Sequence, residues 1–155
     1  KYKGGYNIIF DYDTIYCKYQ NYINSVPQEL VKYKELRDKQ NFHLTVFSSN
    51  ELDNDLDIEN SEEINVDIIG IGKNEQCYYL VCLSKDLDNI RKKHNFPSKD
   101  FHITLGFNYT DKHNISKGIE TLFINENNIT ELVIKNISND TNKNIFDFSI
   151  FCLKR

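Results

Sequence analysis

The 155-residue sequence contains no alanine, no methionine and no tryptophan, while asparagine, isoleucine, lysine and tyrosine are abundant. That bias reads as nucleotide composition of the gene rather than as function. A start at Lys1 without methionine reads as a processed chain or a domain excised from something longer. No apolar run reaches spanning length and no basic leader precedes an apolar segment, so a cytosolic protein is the default expectation. Basic excess is also missing. The net charge of −4 and pI near 5.6 argue against a broad cationic groove for long duplexes and leave room for a small local anion site. Cysteine is present but unorganised. None of Cys17, Cys77, Cys82 and Cys152 forms a CxxC pair, and Cys77 and Cys82, five apart, fall on opposite faces of one strand. Free, buried or half-buried thiols are expected, with no metal site and no cofactor. Five N-x-[ST] sequons, at Asn108, Asn114, Asn128, Asn136 and Asn139, read as accidents of an asparagine-rich chain.

What is present is a globular composition, 39% hydrophobic and 13% aromatic, enough for one domain or two small halves packed as a unit. "YNIIFDY" from Tyr6 reads as a strand. "TIYCKYQNYIN" from Thr14 reads as a helix with Ile15, Tyr19, Tyr22 and Ile23 on one side. "PQELVKYKELRDKQ" from Pro27 is a second helix, with Pro27 suited to its first turn. Residues 51–63 are acidic and polar, a surface loop or short helix. "INVDIIGIG" and "QCYYLVCLS" are strands joined by the turn "KNEQ", and Ser84 caps the helix "KDLDNIRKKH". The spacing of Ile115, Ile119 and Leu122 predicts a helix over residues 114–123. "TELVIKNIS" and "NIFDFSIFCLKR" close the chain as strands. The order strand, helix, strand, polar connection, strand, strand occurs twice, over approximate halves 1–83 and 77–155. It implies an α+β fold of antiparallel sheets with helices outside.

One phrase occurs twice. "FHLTVF" begins at Phe42 and "FHITLGF" at Phe101, and together they hold two of the four histidines, 59 positions apart. On a strand, His43, Thr45 and Phe47 face one way while Leu44 and Val46 face the other. Likewise His102, Thr104 and Gly106 oppose Ile103, Leu105 and Phe107. The aliphatic sets have a core to enter, so the His/Thr sets look outward or toward each other. A single His-x-Thr is commonly just the polar face of a strand. Two copies at matching places in a suspected repeat point to a functional pair. Two imidazoles can activate a water and protonate a leaving oxygen near neutral pH, and two hydroxyls can hold non-bridging phosphate oxygens. The expected chemistry is cleavage of a phosphodiester. Gly106 would leave space for substrate beside Thr104, and Phe47 would stack on a base.

With "HLTV" and "HITL", the sequence resembles the 2H phosphoesterases, named for two H-x-[ST]-x motifs. The longer phrase "HITLGFNYTDKH" looks like the Swiss Army knife group associated with RNA-repair ligases. The resemblance implies a bilobal α+β fold of duplicated origin, here two antiparallel sheets lining a cleft. It further implies metal-independent action on 2′,3′-cyclic phosphates or related RNA phosphodiesters. It assigns acid/base work to His43 and His102 and phosphate contacts to Thr45 and Thr104. The implied partners are RNA ends or small nucleotides, for a monomer linked to other RNA-repair domains in a longer chain. Hydrolysis of 2′–5′ or cyclic oligonucleotides, and a binding module without turnover, are the alternatives.

Other candidates weigh less. His113 reads as a capping histidine or as a substrate contact at the cleft mouth. His94 ends a basic helix and reads as structural. Arg91, Lys92 and Lys93 read as a solvated face that could touch an RNA backbone. Tyr6, Tyr12, Tyr79 and Tyr109 are stacking candidates among ten tyrosines, each otherwise a packing residue. "GIG" at Gly70 lacks the spacing of a nucleotide loop.

Overall fold

A computed structural model describes residues 6–38, 41–48, 51, 64–108, 115–136, 145, 146 and 148–154. The chain runs β1 (Tyr6–Asp11), α1 (Tyr12–Ser25), α2 (Gln28–Asp38), β2 (Asn41–Phe47), β3 (Ile64–Lys73) and β4 (Cys77–Leu83). It continues with α3 (Lys85–Lys93), β5 (His102–Phe107), a 3-10 turn (Ile119–Thr121), β6 (Leu122–Asn136), β7 (Ile145–Phe146) and β8 (Phe148–Lys154). No helix among the described residues is long and apolar enough to cross a membrane.

The helices form where local chemistry favours them. In α1, Ile15, Tyr19 and Ile23 recur every four residues and are buried, with a kink at Tyr19 (φ −118°, ψ 21°). The Pro27 carbonyl accepts from Leu30 and Val31 amides at 3.0 and 3.2 Å, starting α2 at once. Ser84 caps α3 by accepting from the Leu87 amide at 3.1 Å, and its hydroxyl donates to the Asn65 carbonyl at 2.7 Å. Asp86 and Asp88 in the first turn and Arg91, Lys92 and Lys93 in the last complement the helix dipole. The helix expected over 114–123 is corrected in its described part, which is a bend, the 3-10 turn and the start of β6. Gly118 and the branched Ile119 and Thr121 weaken a helix, and Leu122 instead pairs with Gly72 of β3.

The eight strands of the described residues join one sheet in the order β7-β1-β2-β5-β4-β3-β6-β8. The β1–β7 neighbours are parallel and the others antiparallel. The strands expected to divide between two sheets are linked here through β2 and β5. The two His-x-Thr strands, β2 and β5, lie side by side and antiparallel, bridged at Leu44 and Ile103. The α+β class stands.

One face of this sheet carries the main core. Ile8, Phe10, Leu44, Ile68, Leu80 and Ile103 are fully buried there and pack with Ile15, Tyr19 and Ile23 of α1 and Leu87 of α3. Cys82 belongs to this core, whereas Cys77 lies in a smaller cluster with Tyr79, Val81 and Phe107. Burial pushes the Cys82 thiol pKa up, as for a small hydrophobe away from water.

Two bulges break the alternation at matching places. In β2, Asn7 pairs with Thr45 but Tyr6 pairs with Phe47, so Val46 is the extra residue. In β5, Tyr79 pairs with Thr104 but Tyr78 pairs with Gly106, so Leu105 is the extra residue. In each motif the residue after threonine is the bulge, and the next residue swings to the helix-covered face.

Candidate active site

Leu44 and Ile103 stand opposite each other, pointing into the core. Their strand neighbours therefore point to the other face. Extending the pairing one residue each way sets His43 across from Thr104 and Thr45 across from His102. That register gives the two histidines diagonal positions on neighbouring strands. His43, Thr45 and His102 are half-buried, and Thr104 is buried.

Hydrogen bonds position Thr45 and His102 on that face. Thr45 donates its hydroxyl to Asn7 Oδ1 at 2.7 Å, across the β1–β2 ladder. His102 Nδ1 lies 2.9 Å from the Asp100 carbonyl, which only accepts, so Nδ1 carries the proton and the neutral ring keeps its lone pair on Nε2. The Asp100 carboxylate in turn holds the 116–118 segment, accepting from the Lys117 amide at 3.2 Å and the Ser116 hydroxyl at 3.3 Å.

Tyr79 forms the wall beside His102, edge-on with ring centroids 5.8 Å apart. It stands opposite Thr104 and donates its hydroxyl at 2.7 Å to Thr121, whose hydroxyl donates to the Gly118 carbonyl at 2.7 Å. Gly72 makes room for this ring, since a Cβ there would lie 2.5 Å from Tyr79 Cε2. Burial raises the Tyr79 pKa, more than the Thr121 hydrogen bond lowers it, so the group stays a neutral phenol.

Two expected substrate contacts are corrected by the bulges. Phe47 does not share the His43 face. It is fully buried, edge-on to Tyr6 at 6.1 Å, Phe96 at 5.3 Å and the structural His94 at 5.9 Å. Gly106 leaves no space beside Thr104. A Cβ there would meet Val26 Cγ1 at 2.9 Å and the Leu30 carbonyl carbon at 3.0 Å, so glycine lets α2 approach β5. Tyr109 and His113 lie outside the described residues.

The solvated face expected at Arg91 is also corrected, because Arg91 is 1% exposed. Its Nη1 donates to the Val46 carbonyl at 2.7 Å, pinning the bulge that follows Thr45. Its Nε donates to the Pro97 carbonyl at 2.7 Å, and its Nη1 and Nη2 reach Glu51 at 3.0 and 2.7 Å. Glu51 also accepts from the Ser48 amide at 2.9 Å and from Lys99 at 3.3 Å. Burial pushes the Glu51 carboxyl up, but the Arg91 and Ser48 hydrogen bonds and the Lys99 and Arg91 charges prevail and hold it at about 2. Asn7 and Arg91 were invisible as site supports in the sequence, where neither belongs to a motif. Tyr79 appeared there only as one stacking candidate among several.

The arrangement offers two imidazoles able to exchange protons and two hydroxyls able to bond an oxyanion, on one face of adjacent strands. Among the described residues, no three of His, Cys, Asp or Glu are grouped to hold a metal ion. No curated protein and no solved structure matches the chain. The family model described as Swiss Army Knife, 2H phosphoesterase domain, matches residues 9–113. That span is roughly two thirds of the sequence and includes both His-x-Thr strands. A chain whose paired His-x-Thr strands lie within this match belongs to the 2H phosphoesterases, in the Swiss Army Knife family.

Proposed function

We propose that the protein is a metal-independent phosphodiesterase that opens 2′,3′-cyclic phosphates on RNA ends or small nucleotides. His43 and His102 serve as the acid/base pair, and Thr45 and Thr104 contact the phosphate. The observation that supports this reading is the antiparallel pairing of the two His-x-Thr strands, β2 and β5, at Leu44 and Ile103.

A phosphate held between the diagonal histidines meets one imidazole on the side of the attacking water and the other on the side of the leaving oxygen. The neutral imidazole takes a proton from water as its oxygen bonds to phosphorus. The imidazolium gives a proton to the ribose oxygen as its bond to phosphorus breaks. The product is a phosphomonoester and a free hydroxyl, and the two rings have exchanged protonation states. For His102 the exchanging atom is Nε2, because Nδ1–H is committed to the Asp100 carbonyl. Thr45 would redirect its proton from Asn7 to a phosphate oxygen as charge develops there.

The test is a substrate panel comprising 2′,3′-cyclic mononucleotides, RNA ending in a cyclic phosphate, 2′–5′ oligoadenylate and cyclic dinucleotides, each with and without EDTA. Turnover of the cyclic phosphates supports the proposal. Turnover confined to 2′–5′ linkages or cyclic dinucleotides replaces the substrate while keeping the site, and binding without turnover of any compound replaces the enzyme with a binding module.

A further inference from the structure

The large apolar side chains left exposed among the described residues are Leu36, Leu83 and Ile119, and two of these three line one cavity. The cavity holds about 450 Å³, within the usual range for small-molecule pockets. Leu83, 43% exposed, stands at the end of β4, and Ile119, 54% exposed, stands on the 3-10 turn.

This cavity continues the His/Thr face. Val81 lines it and pairs directly with His102. Leu83 is two residues further along β4 on the same face, about 6.5 Å away. Asp100, whose carbonyl holds His102 Nδ1, lines it as well. Gly118 keeps the turn tucked against this wall, because a Cβ there would meet Glu120 Oε1 at 2.6 Å and Asp100 Oδ1 at 2.8 Å.

The charges define what can enter. Lys85 and Lys99 face Asp88, Asp100 and Glu120 around the cavity, and Lys99 also pairs with Glu51 at 3.3 Å. Three carboxylates against two ammonium groups repel a further phosphate, so the cavity is not a continuation of an RNA backbone track. A flat, uncharged group with an apolar face and a hydrogen-bonding edge suits both the aliphatic jaws and the polar rim.

We propose that this cavity binds the nucleobase of the substrate, gripped between Leu83 and Ile119, while the cyclic phosphate lies between His43 and His102. The proposal rests on the phosphodiesterase reading above. It makes Leu83 and Ile119 residues that set specificity for a nucleoside over a bare sugar phosphate.

The test compares adenosine and uridine 2′,3′-cyclic phosphates with methyl riboside 2′,3′-cyclic phosphate, which has no base. Wild type, Leu83→Asn, Ile119→Asn and a control, Leu36→Asn on α2, are assayed for kcat and KM. Calorimetry with adenosine 3′-monophosphate measures binding without turnover, and circular dichroism checks folding. Leu83→Asn and Ile119→Asn should raise KM for the base-bearing substrates about tenfold or more, with kcat little changed. The baseless substrate should be unaffected by either change, and Leu36→Asn should behave as wild type. Equal effects on substrates with and without a base, or equal wild-type kcat/KM for both, overturn the pocket and leave the phosphodiesterase reading intact. If no cyclic phosphate is turned over but the monophosphate binds and Ile119→Asn weakens it, the pocket stands and the reaction falls. If the monophosphate does not bind either, the pocket falls too. Should Leu83→Asn fail to fold, Ile119→Asn on its exposed turn decides alone.

Discussion

Leu44 of β2 stands directly across from Ile103 of β5, and both side chains are fully buried among the helices. That relationship turns His43, Thr45, His102 and Thr104 to the opposite face as a group. Moving either strand by one residue would send two of the four into the core and bring aliphatic residues out. The pairing therefore ties the proposed chemistry to the hydrophobic register beneath it.

The four residues should share the load unequally. His43→Ala and His102→Ala should each lower single-turnover rates by about 10²–10⁴-fold, the contribution of a positioned proton transfer. Thr45→Val and Thr104→Val should lose roughly 10–100-fold, since each removes one neutral hydrogen bond. The double histidine variant should be no slower than about the worse single one, because acid and base act as a unit, and it should still bind substrate. Near wild-type rates in both folded single histidine variants would place the chemistry elsewhere.

Chelation should leave turnover of cyclic phosphates unchanged, because paired imidazoles can perform both proton transfers. Rates measured with EDTA and after adding divalent ions back should coincide. Strict dependence on an added ion would sink the two-histidine mechanism.

Gly106→Ala separates a packing role from a substrate role. The new Cβ would press on Val26 and on the Leu30 backbone, at 2.9 and 3.0 Å. Crowding of this kind costs about 1–3 kcal/mol. Urea denaturation should report that loss, while KM of the folded protein stays near wild type. A raised KM with unchanged stability would return Gly106 to the substrate face.

Arg91→Met should destabilise strongly. It removes the donors to the Val46 and Pro97 carbonyls and leaves Glu51 without its closest cation. Breaking a buried pair costs about 3–5 kcal/mol, and with 23% of the Glu51 side chain exposed the lower end, about 3 kcal/mol, is expected. Thermal and urea unfolding of the purified variant measure it.

Glu51 also sets a pH dependence. Its carboxyl is held at about 2 in the fold against an ordinary value of 4.5. A depressed carboxyl contributes its full stability above its unfolded value and loses it as pH falls through the folded one. The stability difference between wild type and Glu51→Gln should thus be constant above about pH 5 and shrink between about pH 4.5 and 2. Denaturation midpoints across that range would show it, and a difference that does not change with pH would mean the carboxylate is not held by Arg91 and Lys99.

The sequence by itself determined the parts governed by local pattern. Alternating polarity marked the His-x-Thr strands, spacing placed Ile15, Tyr19 and Ile23 on the buried side of α1, and Ser84 announced the start of α3. The doubled motif was legible because its chemistry resides in residue types and short spacing. Tertiary structure alone decided the rest. The bulges at Val46 and Leu105 occur at ordinary aliphatic residues, so strict alternation wrongly carried Phe47 and Gly106 to the His/Thr face. The 3-10 turn at Ile119 and the strand from Leu122 arise because a ladder with β3 outweighs a helical spacing that Gly118 interrupts. The bridge between Leu44 of β2 and Ile103 of β5, which links the strands into one sheet, joins residues 59 positions apart. Asn7 beside Thr45, Tyr79 beside His102 and Arg91 beneath the Val46 bulge reach their partners across the fold. Such contacts join residues tens of positions apart, and their energy comes from burial and hydrogen bonding that exist only once the strands have paired.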